Sequence, residues 1–166
     1  ETHYLPRLRP EGRAEIPGLR ERLAKRGNPG DREHTLGIFC GSMIGFLRNI
    51  TGVENLAYIP ADDPELFAEM VRTIGEVART GVGEVLATGA AFDFGHFWED
   101  ICFKTGPLVN PALFEEVVVP EYKKITAMLA DHGIDLVSVD CDGCVDALVP
   151  LWLEAGVNVM FPIEVG

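Results

Sequence analysis

Carboxylates follow apolar runs at three places in this chain, each where a strand would end. Trp98-Glu99-Asp100 closes the run 91–98, Asp140-Cys141-Asp142-Gly143 closes 134–139, and Glu164 stands near the end of 157–165. Grouped carboxylates support two kinds of chemistry. They make a negative pocket that attracts a cationic or N–H group of a substrate and repels polyanions. The same set can instead hold a hard or borderline cation that acts as a Lewis acid. Alternate side chains of a strand share a face, which groups Ser138, Asp140 and Asp142 against Val137, Val139 and Cys141. One aspartate would be enough to cap a following helix, whose N-terminus favours anions. A second on the same face points to function. Asp140, Asp142, Asp100 and Glu99 are therefore the candidate catalytic residues.

Arg48, Glu164 and Trp98 are the candidates for binding a substrate. Arg48 stands alone among Gly45, Phe46 and Leu47, and its planar fork suits a substrate carboxylate or a structural pairing with Glu54. His96, on an apolar strand, reads as a core histidine, and Phe92, Phe94 and Phe97 as core. Cys141 and Cys144 have the C-x-x-C spacing of redox and zinc motifs. With Cys141 facing the helices, the pair reads as inert buried thiols.

The elements that must position these residues alternate between strand and helix. Residues 36–40, 91–98, 134–139 and 157–165 are short apolar runs bounded by turn residues, as strands buried on both faces are. Between them, Asp62-Asp63-Pro64-Glu65 is a helix start, with an acidic N-cap and a proline in the first turn. Its apolar stripe runs from Leu66 through Ala78, and the helix extends to Val85 and Leu86 despite Gly75, Gly81 and Gly83. Asn110-Pro111 starts a second helix that Pro120 must kink or restart and Gly133 stops. Val145, Leu148, Val149 and Trp152 give a third helix, which Gly156 ends. The stretch 41–56 reads as a loop with one short helix, and 1–35 as an irregular segment with a helical candidate at 19–25. Strand, helix and strand within about thirty residues form a βαβ unit, whose strands are parallel. Ligands of such folds sit at the carboxyl ends of the strands, where the acids lie.

The composition, with 47% hydrophobic and 24% charged residues, is that of a soluble globular protein, and 166 residues are enough for one domain with a sizeable core. The net charge of −12 argues against nucleic acid or an anionic membrane as partner. There is no apolar run long enough to span a bilayer and no signal peptide. The four cysteines lack secreted-scaffold spacing, so reduced thiols in a cytoplasm are expected. The ends read as cut, since the chain opens on Glu1 and stops after a strand that should feed another helix.

Three stretches, WEDICFKTGPLVNPALFEEVVVPEYKKI, VDCDG and LEAGVNVMFPIEVG, resemble the uroporphyrinogen decarboxylase superfamily. GFLRNITGVENL followed by DDPELFAEMV is similar to it as well, so the resemblance covers residues 36–166. It implies that these residues are the middle part of a (β/α)8 TIM barrel. It also implies an enzyme that decarboxylates acidic side chains of a porphyrinogen-type tetrapyrrole without a cofactor. The superfamily's methyltransferases imply the alternative, a divalent metal (zinc) and a corrinoid or thiol substrate. There, Asp140 and Asp142 would take the metal positions that His and Cys fill in those enzymes, ahead of the shared Gly143. Asp100 lies where the decarboxylases use a serine, after the matching Glu99, and the arginines that hold their substrate would lie outside this chain. A third implied role is a barrel that only binds a tetrapyrrole or corrinoid. Any of these leaves room for a homodimer.

Overall fold

The computed structural model describes residues 18–164. Its frame is a four-stranded parallel sheet made of β1 (Gly37–Gly41), β2 (Phe94–Trp98), β5 (Val137–Asp140) and β6 (Val159–Phe161), lying side by side in chain order. All four expected strands form; β1 keeps the length of its run but starts one residue later, and the other three are shorter than their runs. A doubly wound sheet would reverse direction partway along. Here every crossover steps the same way, and right-handed crossovers then place all connecting helices on one face.

Those helices are α4 (Pro64–Leu86), α6 (Val119–Asp131) and α7 (Val149–Glu154), preceded by the short α1 (Leu19–Ala24). The expected caps operate. Asp63 accepts the Leu66 N–H at 2.9 Å ahead of Pro64, and Asn110 accepts the Ala112 N–H at 2.9 Å ahead of α5 (Pro111–Leu113). Pro120 lacks an N–H and would press on the carbonyl four residues back, so the helix widens to a π turn over Phe114–Val118 before α6 begins. The third helix starts later than Val145 suggests, because Pro150 fits only its first turn.

The largest departure lies between β1 and α4. In place of a loop with one short helix, the chain forms α2 (Ile44–Thr51) and α3 (Val53–Asp62), broken at Gly52. Local sequence is a poor guide here because the first turn of α2 is held from a distance by Glu99, while Met43, Ile44, Leu47 and Leu56 are buried in the core.

The core lies between the sheet and the helices. Ile38, Cys40, Phe97, Val137 and Val139 meet Phe67 and Val71 of α4, Tyr122, Ile125 and Leu129 of α6, and Trp152 of α7. The Phe97 and Tyr122 rings lie 4.4 Å apart, and Phe114 meets Trp152 edge-on at 5.9 Å. The opposite sheet face carries Phe39, His96, Trp98 and Phe161. None of these is buried, and Phe39 is 63% exposed. His96 is therefore not a core residue. It stacks on Phe161 at 5.6 Å and contacts the Ser138 hydroxyl through Nδ1 at 3.0 Å.

Candidate functional site

The strand register sets the site. Trp98 of β2 stands opposite Asp140 of β5, so the residues that follow them, Glu99-Asp100 and Cys141-Asp142, leave the sheet side by side. The Glu99 N–H bonds the Asp140 carbonyl at 2.9 Å, and the Asp142 N–H reaches Asp100 Oδ1 at 3.3 Å. Asp100 adopts φ 49°, the one positive φ at a non-glycine residue among the described residues. Aspartate tolerates that left-handed turn better than most residues, and such outliers cluster at functional sites. The outcome is that Asp100, Asp140 and Asp142 each offer a carboxylate oxygen, all within 4.8 Å of one another.

Glu164 joins them from the segment beyond β6, its Oε2 accepting the Gly143 N–H at 2.9 Å. Gly143 takes φ 88°, and a Cβ there would stand 2.6 Å from the Cys102 carbonyl oxygen, so only glycine lets the two segments approach this closely. The Asp142 carboxyl is held above its usual range. Loss of hydration in the crowded turn is the larger cause, followed by the negative charges of Asp100, Glu164 and Asp140. The side-chain alternation read from the sequence holds, with Val137, Val139 and Cys141 buried and Asp140 and Asp142 turned to the other side.

The two neighbouring acids after β2 separate. Asp100 enters the cluster, whereas Glu99 turns into the core and is fully buried. Its carboxylate accepts the Met43 N–H at 2.8 Å, the Gly45 N–H at 2.7 Å, the Ser42 hydroxyl at 3.2 Å and the Tyr122 hydroxyl at 2.5 Å. Burial raises its pKa, and the four donors oppose the rise. Glu99 thus fixes the first turn of α2 instead of facing the cluster. Gly45 makes room for it, since a Cβ there would collide with the Glu99 carbonyl. Ser42 and Tyr122, which complete this network, are residues that the sequence reading missed. Neither is set apart by its neighbours: Gly41 and Met43 flank Ser42, and Glu121 and Lys123 flank Tyr122.

Arg48 projects from α2. Its guanidinium donates to the Asp100 carbonyl oxygen and to Asn49 Oδ1, and stands 5.3 Å over the Trp98 ring. That geometry takes the place of the Glu54 pairing. Trp98, Arg48 and Asp100 are all half-buried, whereas Asp142 and Glu164 are exposed. One side of the mouth is therefore cationic and aromatic, and the other carries four acids.

The donor set of the cluster is entirely oxygen, which fits magnesium, manganese or calcium better than a thiol-bound zinc. Of the cysteines nearby, Cys141 is buried away from the cluster, and Cys144 is exposed on the following turn. Two shallow grooves between α4 and α6, lined by residues such as Arg72, Glu76 and Lys124, share no residue with the cluster. Among the described residues, no helix is long and apolar enough to cross a membrane. Comparison with protein-family models, with curated proteins and with solved structures finds no match.

Proposed function

We propose that this four-stranded unit is part of a (β/α)8 barrel of the uroporphyrinogen decarboxylase type, and that the Asp100–Asp140–Asp142 cluster is its acid–base centre. The observation that carries the reading is the convergence of three carboxylates within 4.8 Å at the carboxyl ends of adjacent parallel strands. The stepwise strand order and the open aromatic sheet face support the barrel.

In this reading the substrate is a tetrapyrrole of the porphyrinogen class whose acidic side chain loses carbon dioxide. The carbanion left behind needs a proton, and the ring needs a stabilising anion while its charge builds. Asp142 is the proton donor of this reading, its carboxyl held above the ordinary range by loss of hydration and then by the charges of Asp100, Glu164 and Asp140. Asp140, half-buried beside it, is the acceptor for a pyrrole N–H. Arg48, seated on Trp98, takes a substrate carboxylate, and Glu164 holds the turn that presents Asp142. The test is anaerobic incubation of the protein with uroporphyrinogen, separating the products by their number of carboxylates. Stepwise loss of carboxylates that disappears in Asp140→Asn supports the assignment. An unchanged substrate with wild-type protein defeats it.

One observation favours a second reading, metal-dependent methyl transfer. The same three oxygens form a ready set for a hard divalent cation, which would supply Lewis-acid activation when bound. Asp100, Asp140 and Asp142 would be its ligands. Chelator treatment separates the two readings, because decarboxylation survives it and metal-dependent transfer does not.

A further inference from the structure

His96 holds the middle of the open sheet face. Phe39 of β1 stands opposite it on one side and Ser138 of β5 on the other, and Val159 of β6 continues the row. The next row toward the carboxyl ends is Trp98, Asp140 and Phe161. A step of two residues along the strands puts His96 about 7 Å deeper than Asp140. The serine settles which ring nitrogen carries the proton. Ser138 is buried, and its hydroxyl donates to the Gly95 carbonyl at 3.2 Å, an oxygen that can only accept. With that one proton committed, the Ser138 oxygen receives the Nδ1–H of His96 at 3.0 Å. In the neutral ring Nε2 then keeps its lone pair. Among the described residues, Nε2 has no hydrogen-bond partner.

We propose that His96 is a ligand-binding residue, its Nε2 accepting a hydrogen bond from the N–H of a pyrrole-type ring that packs against Phe39 and Phe161 beneath Asp140. The chemistry of the face selects that class. Nε2 and the Asp140 carboxylate are both acceptors, so a ligand on this face must bring donors. Phe39, Val159 and Phe161 are 63%, 41% and 43% exposed and offer apolar surface to the rest of it. The Phe161 ring lies 13° from the plane of the imidazole and the Phe39 ring at 51°, so flat faces border the acceptor. An aromatic N–H is a donor on a flat apolar ring and meets both demands. A ligand carboxylate would set its lone pairs against Nε2, and its place is at the Arg48 guanidinium. The choice of ring rests on the tetrapyrrole reading; the acceptor at Nε2 does not.

The test is NMR of protein with isotopically labelled histidine nitrogens under mildly alkaline conditions, where an ordinary imidazole is neutral. His96→Phe identifies the His96 signals among the four histidines. The nitrogen shifts should show Nδ1 protonated and Nε2 bare. Added pyrrole should move Nε2 saturably, whereas N-methylpyrrole, which has no N–H to give, should leave it in place. By calorimetry, His96→Phe should weaken pyrrole about three- to tenfold, the loss of one hydrogen bond with a ring still in position. A protonated Nε2, an Nε2 that pyrrole leaves unmoved, or an equal response to N-methylpyrrole overturns the proposal. Uroporphyrinogen turnover by the same preparation separates the two failures. If pyrrole moves Nε2 but uroporphyrinogen stays intact, the decarboxylase reading falls and the His96 contact stands.

Discussion

The Tyr122 hydroxyl lies 2.5 Å from Glu99 Oε1, and both residues are fully buried. This contact ties α6 to the end of β2, and through Met43 and Gly45 the same carboxylate holds the start of α2. Arg48 rides on α2, so the position of the cation at the mouth depends on an acid that never reaches the mouth.

Glu99→Gln should expose that dependence. The new amide N–H₂ would face donors, leaving buried groups unsatisfied at a cost of about 1–3 kcal/mol. The pH dependence has a defined sign. Burial raises the pKa of Glu99 in the folded state, so its contribution to stability is complete below the ordinary glutamate value, about 4.3. It is lost as pH rises through the raised folded value. The gap between wild type and variant, measured by urea unfolding across that interval, should narrow toward higher pH. A gap that widens would mean that the donors, not burial, dominate.

Asp140→Asn removes one of the charges that hold the Asp142 carboxyl up. Carboxyl-resolved NMR titration should find Asp142 moved back toward the ordinary aspartate range. A raised folded-state pKa contributes stability below the unfolded value and loses it as pH rises through the folded one. At neutral pH the variant should therefore melt no lower than wild type, while decarboxylation falls away. A clear drop in melting temperature would make Asp140 a structural residue.

Arg48→Lys keeps the charge but not the planar fork over Trp98. If the guanidinium holds a substrate carboxylate, KM should rise about tenfold or more, the equivalent of roughly 1.4 kcal/mol, with a smaller change in kcat. Far-UV circular dichroism should match wild type, since the side chain is only half-buried. An equal fall in kcat at unchanged KM would remove Arg48 from ground-state binding.

Where neighbours along the chain decide the structure, the sequence was sufficient. Asp63-Pro64 and Asn110-Pro111 start helices as read, and the alternation of Val137, Val139 and Cys141 against Asp140 and Asp142 holds. What escaped was set by distant partners. Two helices form where a loop with one short helix was expected, and a carboxylate 54 residues after Gly45 holds the first turn of α2. Glu99 and Asp100, adjacent and chemically alike, take opposite roles because the left-handed turn at Asp100 parts their side chains. The hairpin of β3 (Cys102–Phe103) and β4 (Gly106–Pro107) escaped because its two-residue strands have no periodicity to read. Pro150 was legible and outweighs the apolar stripe that began at Val145.

The open sheet face leads to the last prediction. Phe39 is 63% and Phe161 43% exposed, with the His96 ring between them at 6.2 and 5.6 Å. β1 and β6 are the outer strands of the sheet, so the aromatic face is flanked by outer strands whose backbone groups are open to further pairing. Apolar surface of this kind drives association until something covers it. Sedimentation velocity should therefore find the protein self-associating as concentration rises, and Phe39→Ser with Phe161→Ser should weaken this. Each ring, if covered in the associated form, contributes about 1.5–3 kcal/mol, so each substitution should raise the dissociation constant roughly ten- to a hundred-fold. Folding should be little affected, because neither ring lies in the core between sheet and helices. A monomer at every concentration, binding no apolar dye at this face, would mean that the aromatic surface is covered within the chain.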